Sequence, residues 1–365
     1  MKWLFNFVFF VSLWCAPLLA EDWPFFRGNP QLTGVASSTL PDKPETLWTF
    51  KVGGTESTAS ISDHLVFLGS TDGFLYAIDL MTGKLKWKFQ ASDEIKSSPS
   101  VIENIVYFGD EKGGFYALHA ATGEKKWTFQ ADAGIISSVN VHNDRLLFGS
   151  YDNNLYCLSV KDGSLLWKLE TAGYVHATPA ITEETAMVAG CDGFLRVVDL
   201  QTGKEVKNIS LGGTVAGSPA FSQGKVFLGT FTNKIVSVDT QSGKLLWEYE
   251  NPQRRFPFYS SAAVTEGVVI LGGRDQEVHA LDPETGAVIW KFSAGAKVDS
   301  SPVIAGNRVV VGTTGGILYL LDLVTGKQVW RFQTGSQIIS SPAVAQHKLV
   351  IATKDGIVYC FGEKG

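Results

Sequence analysis

Between residue 45 and the C-terminus, apolar and polar positions alternate with period two in short runs, and glycine-, serine- and aspartate-rich turns separate the runs. This pattern predicts half-buried β-strands joined by tight turns. The runs recur in a fixed order. Ser-Ser-Pro-Ala-Val is followed by a β-branched run ending in Gly-Thr or Gly-Ser, a turn such as Asp-Gly, a run such as Leu-Tyr-Ala-Leu-Asp, and a closing Lys-Leu-Leu-Trp-Lys-Phe. The turn glycines Gly83, Gly123, Gly163, Gly203, Gly243, Gly286 and Gly326 fall 40, 40, 40, 40, 43 and 40 residues apart. Four strands in every repeat and no helical period predict an all-β chain, a propeller of four-stranded antiparallel blades.

Seven full copies span 57–89, 97–129, 137–169, 177–209, 217–249, 260–292 and 300–332, and an eighth begins at Ser340 with only three strands. The missing closing strand lies at the other end, in Glu45-Thr46-Leu47-Trp48-Thr49-Phe50-Lys51. An eight-bladed ring closed by its N-terminal strand follows, because a single blade cannot bury both faces and radial stacking leaves only short outer edges. Tryptophan stands four residues after six of the seven glycines, as Trp87, Trp127, Trp167, Trp247, Trp290 and Trp330, with Trp48 equivalent in the first strand. Burying each indole is worth at most a few kcal/mol at about 25 cal/mol per Å², so these residues are read as structural docking groups. Lys207 replaces the indole in the fourth copy, where a looser outer strand is expected.

Residues 1–20 break the pattern with Lys2, an uncharged apolar run from Trp3 to Ala20, and then Glu21-Asp22. This reads as a secretory signal peptide cleaved after Ala20. The competing reading is a retained anchor of about 18 residues, near the lower limit for spanning. Cys15 follows Trp14, where lipid attachment requires a small residue, so acylation there is not expected. Residues 21–44 form an N-terminal capping segment and 45–365 the propeller. The mature chain is expected to be secreted or periplasmic, without a membrane span, and a monomeric ring.

Formal charge is −5 and the basic residues are scattered, which gives no footprint for a nucleic-acid partner. Cys157 and Cys360 occupy equivalent third-strand positions in distant blades and Cys191 a turn, so no disulfide is expected. Metal-ligand and phosphate-loop motifs do not occur, and no catalytic residue is assigned. Candidate binding residues come from the mouth of the central channel. The residue before each Ser-Ser pair should face it, giving Glu56, Lys96, Ile136, His176, Ala216, Tyr259, Asp299 and Ile339, a column that varies while its neighbours repeat. The 43-residue interval places three extra residues in Asn251–Tyr259 on the same mouth, and Arg254, Arg255, Phe256 and Phe258 are the expected partner contacts.

Ala77-x-Asp79-x-x-Thr82-Gly83-x-x-x-Trp87, repeated in full from Ala280 to Trp290, resembles the tryptophan-docking motif of the pyrroloquinoline-quinone-like propeller repeat family. Trp23-Pro24-Phe25-Phe26-Arg27-Gly28 resembles an opening segment of its secreted members, read here as a cap that packs aromatics against the ring. The resemblance implies either a quinone-dependent dehydrogenase or a scaffold of the BamB type. Dehydrogenases of this family carry a vicinal cysteine pair, acidic calcium ligands on inserted loops and longer chains, which this sequence does not spell out. The expectation is therefore a non-enzymatic scaffold binding envelope proteins. The alternatives are a dehydrogenase using pyrroloquinoline quinone with calcium, or a propeller binding carbohydrate or another small ligand.

Overall fold

The computed structural model describes residues 21–215 and 217–364, so the signal-peptide reading and Ala216 lie outside the described residues. Eight sheets form eight blades, each built on four antiparallel strands that are consecutive in the chain in all but the last blade, and no helix occurs among the described residues. No helix is therefore long and apolar enough to cross a membrane. Blade one is typical, with Ser60–Ser62, Leu65–Gly69, Phe74–Asp79 and Leu85–Gln90 running from channel to rim. Its middle strands are buried on both faces and its outer strand alternates, as radial stacking requires. In the last blade Glu45–Lys51 pairs antiparallel with Ile357–Gly362, as the missing closing strand predicted.

The repeated motif is a device for joining one blade to the next. Asp79 Oδ1 accepts the Thr82 amide and hydroxyl, both at 2.8 Å, and the Gly83 amide donates to the Asp79 carbonyl. This turn puts Gly83 at φ 68°, a left-handed conformation that glycine adopts without a Cβ penalty. The absent Cβ has a second use, since one built there would lie 2.7 Å from the Trp48 ring of the preceding strand set. Gly123, Gly163, Gly203, Gly286 and Gly326 receive Trp87, Trp127, Trp167, Trp247 and Trp290 in the same way. Each indole N–H then donates to a turn carbonyl of the next blade, for example Trp48 to Leu80 at 2.8 Å and Trp167 to Leu200 at 3.0 Å. Trp330 differs because blade eight has no such turn, and it packs edge-on against Phe361 with ring centroids 5.5 Å apart.

At the seam where Lys207 stands, its ammonium donates to the Gln241 carbonyl in place of an indole N–H. The volume is not replaced. A Cβ on Gly243 would meet nothing closer than Ile209 at 3.6 Å.

Residues 21–40 make one lap of the channel on the face opposite its mouth. Glu21 accepts from Gln346 of blade eight, Trp23 exchanges two backbone bonds with Ile61 of blade one, and Pro24 accepts from Val101 of blade two. Pro30 accepts from Asn140 Nδ2 of blade three and from the Ile181 amide of blade four, while Gln31, Thr33 and Gly34 serve Phe221, Val264 and Ile304 of blades five to seven. Val35–Ala36 then adds a short parallel strand to Val303–Ala305, and Ser38 returns to His347 of blade eight. The strap thereby uses backbone groups that the innermost strands would otherwise leave unpaired.

Two outcomes follow. Gly123→Ala should lose about 1–2 kcal/mol to left-handed strain and a further ~1–3 kcal/mol to the clash with Trp87, whereas Gly243→Ala should lose only the strain; equal losses in chemical denaturation would contradict the docking account. The turn aspartates titrate below their ordinary range, with Asp79 lowered to about 2 chiefly by its bond from Thr82. A folded value below the unfolded one, about 3.9, means that this stability is present above the unfolded value and lost as pH falls toward 2. Acid titration followed by circular dichroism should show that loss, and a smaller one in Asp79→Asn.

Candidate functional site

The paired hydroxyl residues at the start of six blades do two jobs, and Ala177-Thr178 and Gly217-Ser218 keep the second of them. The first clamps its own blade, as Ser97 Oγ both donates to the Gly109 carbonyl at 2.7 Å and accepts the Gly109 amide at 2.9 Å. The second joins blades. The Thr58 amide donates to Ser98 Oγ, Ser98 to Ser138, Ser138 to Thr178, Thr178 to Ser218, Ser218 to Ser261, Ser261 to Ser301, Ser301 to Ser341, and Ser341 back to Thr58, all within 2.9–3.1 Å. These eight buried hydroxyls form a closed belt around the channel.

Above the belt, Glu56, Lys96, Ile136, His176, Tyr259, Asp299 and Ile339 line one cavity of about 180 Å³ together with the belt itself. The variable column therefore converges on a single space, its side chains standing over a uniform polar collar. Phe26 of the strap lines the same cavity from the face opposite the mouth and forms its floor.

The column does not stand alone. A second set of side chains, from the turns between second and third strands, reaches over it. Lys96 pairs with Glu111 at 2.6 Å and Glu94 at 3.3 Å, and these bonds, Glu111 foremost, raise its pKa. Arg274 grips Asp299 through two bonds of 2.9 Å and lies 3.4 Å above the Tyr259 ring. Tyr151 meets His176 Nδ1 at 2.9 Å and stacks on Tyr174, while Phe231 packs on Tyr259. Burial holds the His176 imidazole below its ordinary pKa, with Glu56 opposing. Sequence reading missed Glu111, Tyr151, Phe231 and Arg274. Their signal was available, since each follows the second-strand Gly-x pair at a constant offset, and each backbone amide donates to the loop ahead of the column.

The longer loop divides in two. Arg255 and Phe256 project outward, Phe256 being 48% exposed and Arg255 paired with Glu250 at 3.2 Å. Arg254 bonds back to the Asp275 carbonyl at 2.9 Å, so part of its role is to fix the loop. Phe258 corrects the sequence expectation. It is 1% exposed and sits over Gly229, the place that Ile95, Ile135 and Val175 fill over Gly69, Gly109 and Gly149. Phe258 is thus the blade-six version of a repeated core residue, and the extra residues precede it.

Beside this loop Asp275, Glu277 and His279 bring their ligand atoms within 4.8 Å of one another. The donors are already engaged. His279 Nε2 bonds Asp275, its Nδ1 meets Tyr249, Asn251 Nδ2 bridges Asp275 and Glu277, and Lys291 pairs with Glu277. A cation would have to displace an amide and an ammonium, so the cluster reads as a closed polar network. Cys157 and Cys360 are free, buried thiols pushed up to about 12 by burial, and Cys191 is free in a mouth turn.

Under the floor, the opening motif explains itself residue by residue. Trp23 is buried and its ring fills the place a Cβ on Gly28 would take, at 2.7 Å. Phe26 enters the channel and Arg27, fully buried, donates Nη2 to the Ala262 carbonyl at 2.9 Å.

Among solved structures, the chain is similar to BamB from Moraxella catarrhalis, with 18% identity, a TM-score of 0.76, and 88% of this chain matched to 100% of that one. It is also similar to the quinohemoprotein alcohol dehydrogenase of Comamonas testosteroni, with 13% identity, a TM-score of 0.82, and 94% of this chain matched to 81% of that one. The computationally designed Ika8 protein matches at 19% identity and a TM-score of 0.76, over 86% of this chain and 98% of its own. Identities this low show the fold alone. A comparison with curated proteins gave no match. The family model described as outer membrane protein assembly factor BamB matches residues 34–141, 131–256 and 274–364. These segments take in nearly the whole ring, and the chain belongs to that family of quinone-type propeller repeats.

Proposed function

We propose that this protein is a non-enzymatic scaffold of the cell envelope, secreted or periplasmic, that holds a protein partner on the channel-mouth face, as an outer-membrane assembly factor would. The observation that carries this reading is the arc of aromatic side chains along the mouth of blades three to six. Tyr174 is 52% exposed, Phe256 48% and Phe231 36%, with Tyr151 stacked on Tyr174, Tyr259 packed against Phe231, and Arg255 next to Phe256 in the chain. Aromatic residues and arginine dominate binding hot spots because they bury much area at small entropic loss.

The dehydrogenase reading draws less support. A cavity of about 180 Å³ is below the ~300–1,000 Å³ of sites that enclose drug-sized ligands. Lys96 and Arg274, the cations at the mouth, are committed to Glu111 and Asp299 and would have to leave them to meet a quinone carboxylate. No two cysteines adjoin in the chain.

A photo-crosslinking residue at Phe256 or Tyr174 should capture an envelope protein, and one at Leu85 on the outer rim should not. Arg255→Ala with Phe256→Ala should reduce capture at Tyr174 at least fivefold with an unchanged melting temperature. Calorimetric titration with pyrroloquinoline quinone, with and without calcium, should show no heat of binding. Tight calcium-dependent binding would overturn the scaffold reading.

A further inference from the structure

Arg27 carries a charge that the fold does not neutralise. Its side chain is fully buried, and beyond the single bond from Nη2 to Ala262, Nε and Nη1 meet no acceptor among the described residues. No carboxylate pairs with it among the described residues, and with its pKa lowered only to about 9 by burial it remains a cation at neutral pH. The backbone is shaped to admit it. A Cβ on Gly34 would lie 1.9 Å from Nη2, and Arg27 itself holds a left-handed φ of 64°. A buried cation left this way is destabilising unless something completes it.

The second observation is independent of the strap. Every hydroxyl of the belt accepts a neighbouring amide, yet none donates to a protein acceptor among the described residues. Each hydroxyl has one proton to give, so eight donors face the cavity whose floor, Phe26, is the residue next to Arg27. Ala262, which Arg27 grips, adjoins Ser261 of the belt. Of the two carboxylates lining the cavity, Asp299 is held by Arg274 and only Glu56 has no ion-pair partner among the described residues.

We propose that the floor end of the channel binds an oxyanion, a carboxylate or phosphate group whose oxygens accept from the belt hydroxyls while Arg27, immediately behind the floor, supplies the compensating charge. This goes beyond the scaffold reading, because the pit takes its guest whether or not a partner covers the mouth. The group can arrive as a free anion or on the end of a polypeptide entering from above. A neutral acceptor would gain only the weaker uncharged bonds from this collar, and a cation would be repelled by the buried guanidinium.

The test uses the mature protein in chloride buffer, titrated at constant ionic strength with sodium acetate, with inorganic phosphate, and with a short peptide carrying either a free or an amidated C-terminus. At least one oxyanion should bind and raise the melting temperature above the chloride control. Preference for the free-ended peptide over acetate and phosphate assigns the source to a partner chain, and the reverse assigns it to a free anion. Arg27→Met should bind at least tenfold more weakly while melting no lower than wild type in chloride, since it removes an unmatched charge. Glu56→Gln should bind severalfold more tightly. Absence of binding by every probe, equal affinity in Arg27→Met, or binding of the amidated peptide as tight as that of the best oxyanion would each overturn the proposal. Should Arg27→Met fail to fold, unchanged affinity in Glu56→Gln would do so.

Discussion

The structure rests on one repeated contact, the backbone amide of each blade donating to the hydroxyl of the next. A chain of such bonds that returns to its start has no terminal member, so no blade can tilt or slide without disturbing two neighbours. The net worth of each is only about 1 kcal/mol, but losing one would strand a buried amide, which costs more than the bond contributes. The contact also fixes where each innermost strand begins. From that point the preceding side chain has to stand in the channel, which is why variable residues at equivalent positions gather in one place.

Outside the belt the same problem is solved with apolar volume. Indole against glycine gives six of the eight outer strands a socket in the following blade, and the socket needs both a turn that places glycine at positive φ and a ring to fill the missing Cβ. The Lys207 seam shows the two components separating. Its ammonium reproduces the polar bond, whereas the space above Gly243 stays open and Ile209 covers part of it. Polar satisfaction tolerates substitution here better than packing does, in keeping with the stricter geometry of close-packed interiors.

Much of this was legible in the sequence because repetition amplifies weak signals. A single Gly-x-x-x-Trp means little; six copies on seven glycines spaced 40 or 43 residues apart fix the blade count, and the strand missing at one end identifies Glu45–Lys51 at the other. The mouth column was legible by contrast, as variation beside constancy. Arg274 over Asp299 was not, since the two residues belong to different blades and meet only when both turns are in place. Phe258 was misjudged because the extra residues hid its alignment with Ile95 and Ile135. The strap gave the least warning: it does not repeat, and its bonds to the ring are spread over all eight blades.

The closing of blade eight has a consequence for the order of synthesis. Glu45–Lys51 leaves the ribosome early, but its partner strand ends at Gly362, and at roughly 5–20 residues per second the wait is on the order of tens of seconds. Throughout that interval the first strand made has no sheet to join, and the strap has no complete ring to circle. The nascent chain therefore carries an amphipathic, unpaired segment at its leading end until the last blade arrives, and stability comes late and nearly all at once. A ring so closed trades a long exposed infancy for a mature form in which the two ends of the propeller complete one blade between them.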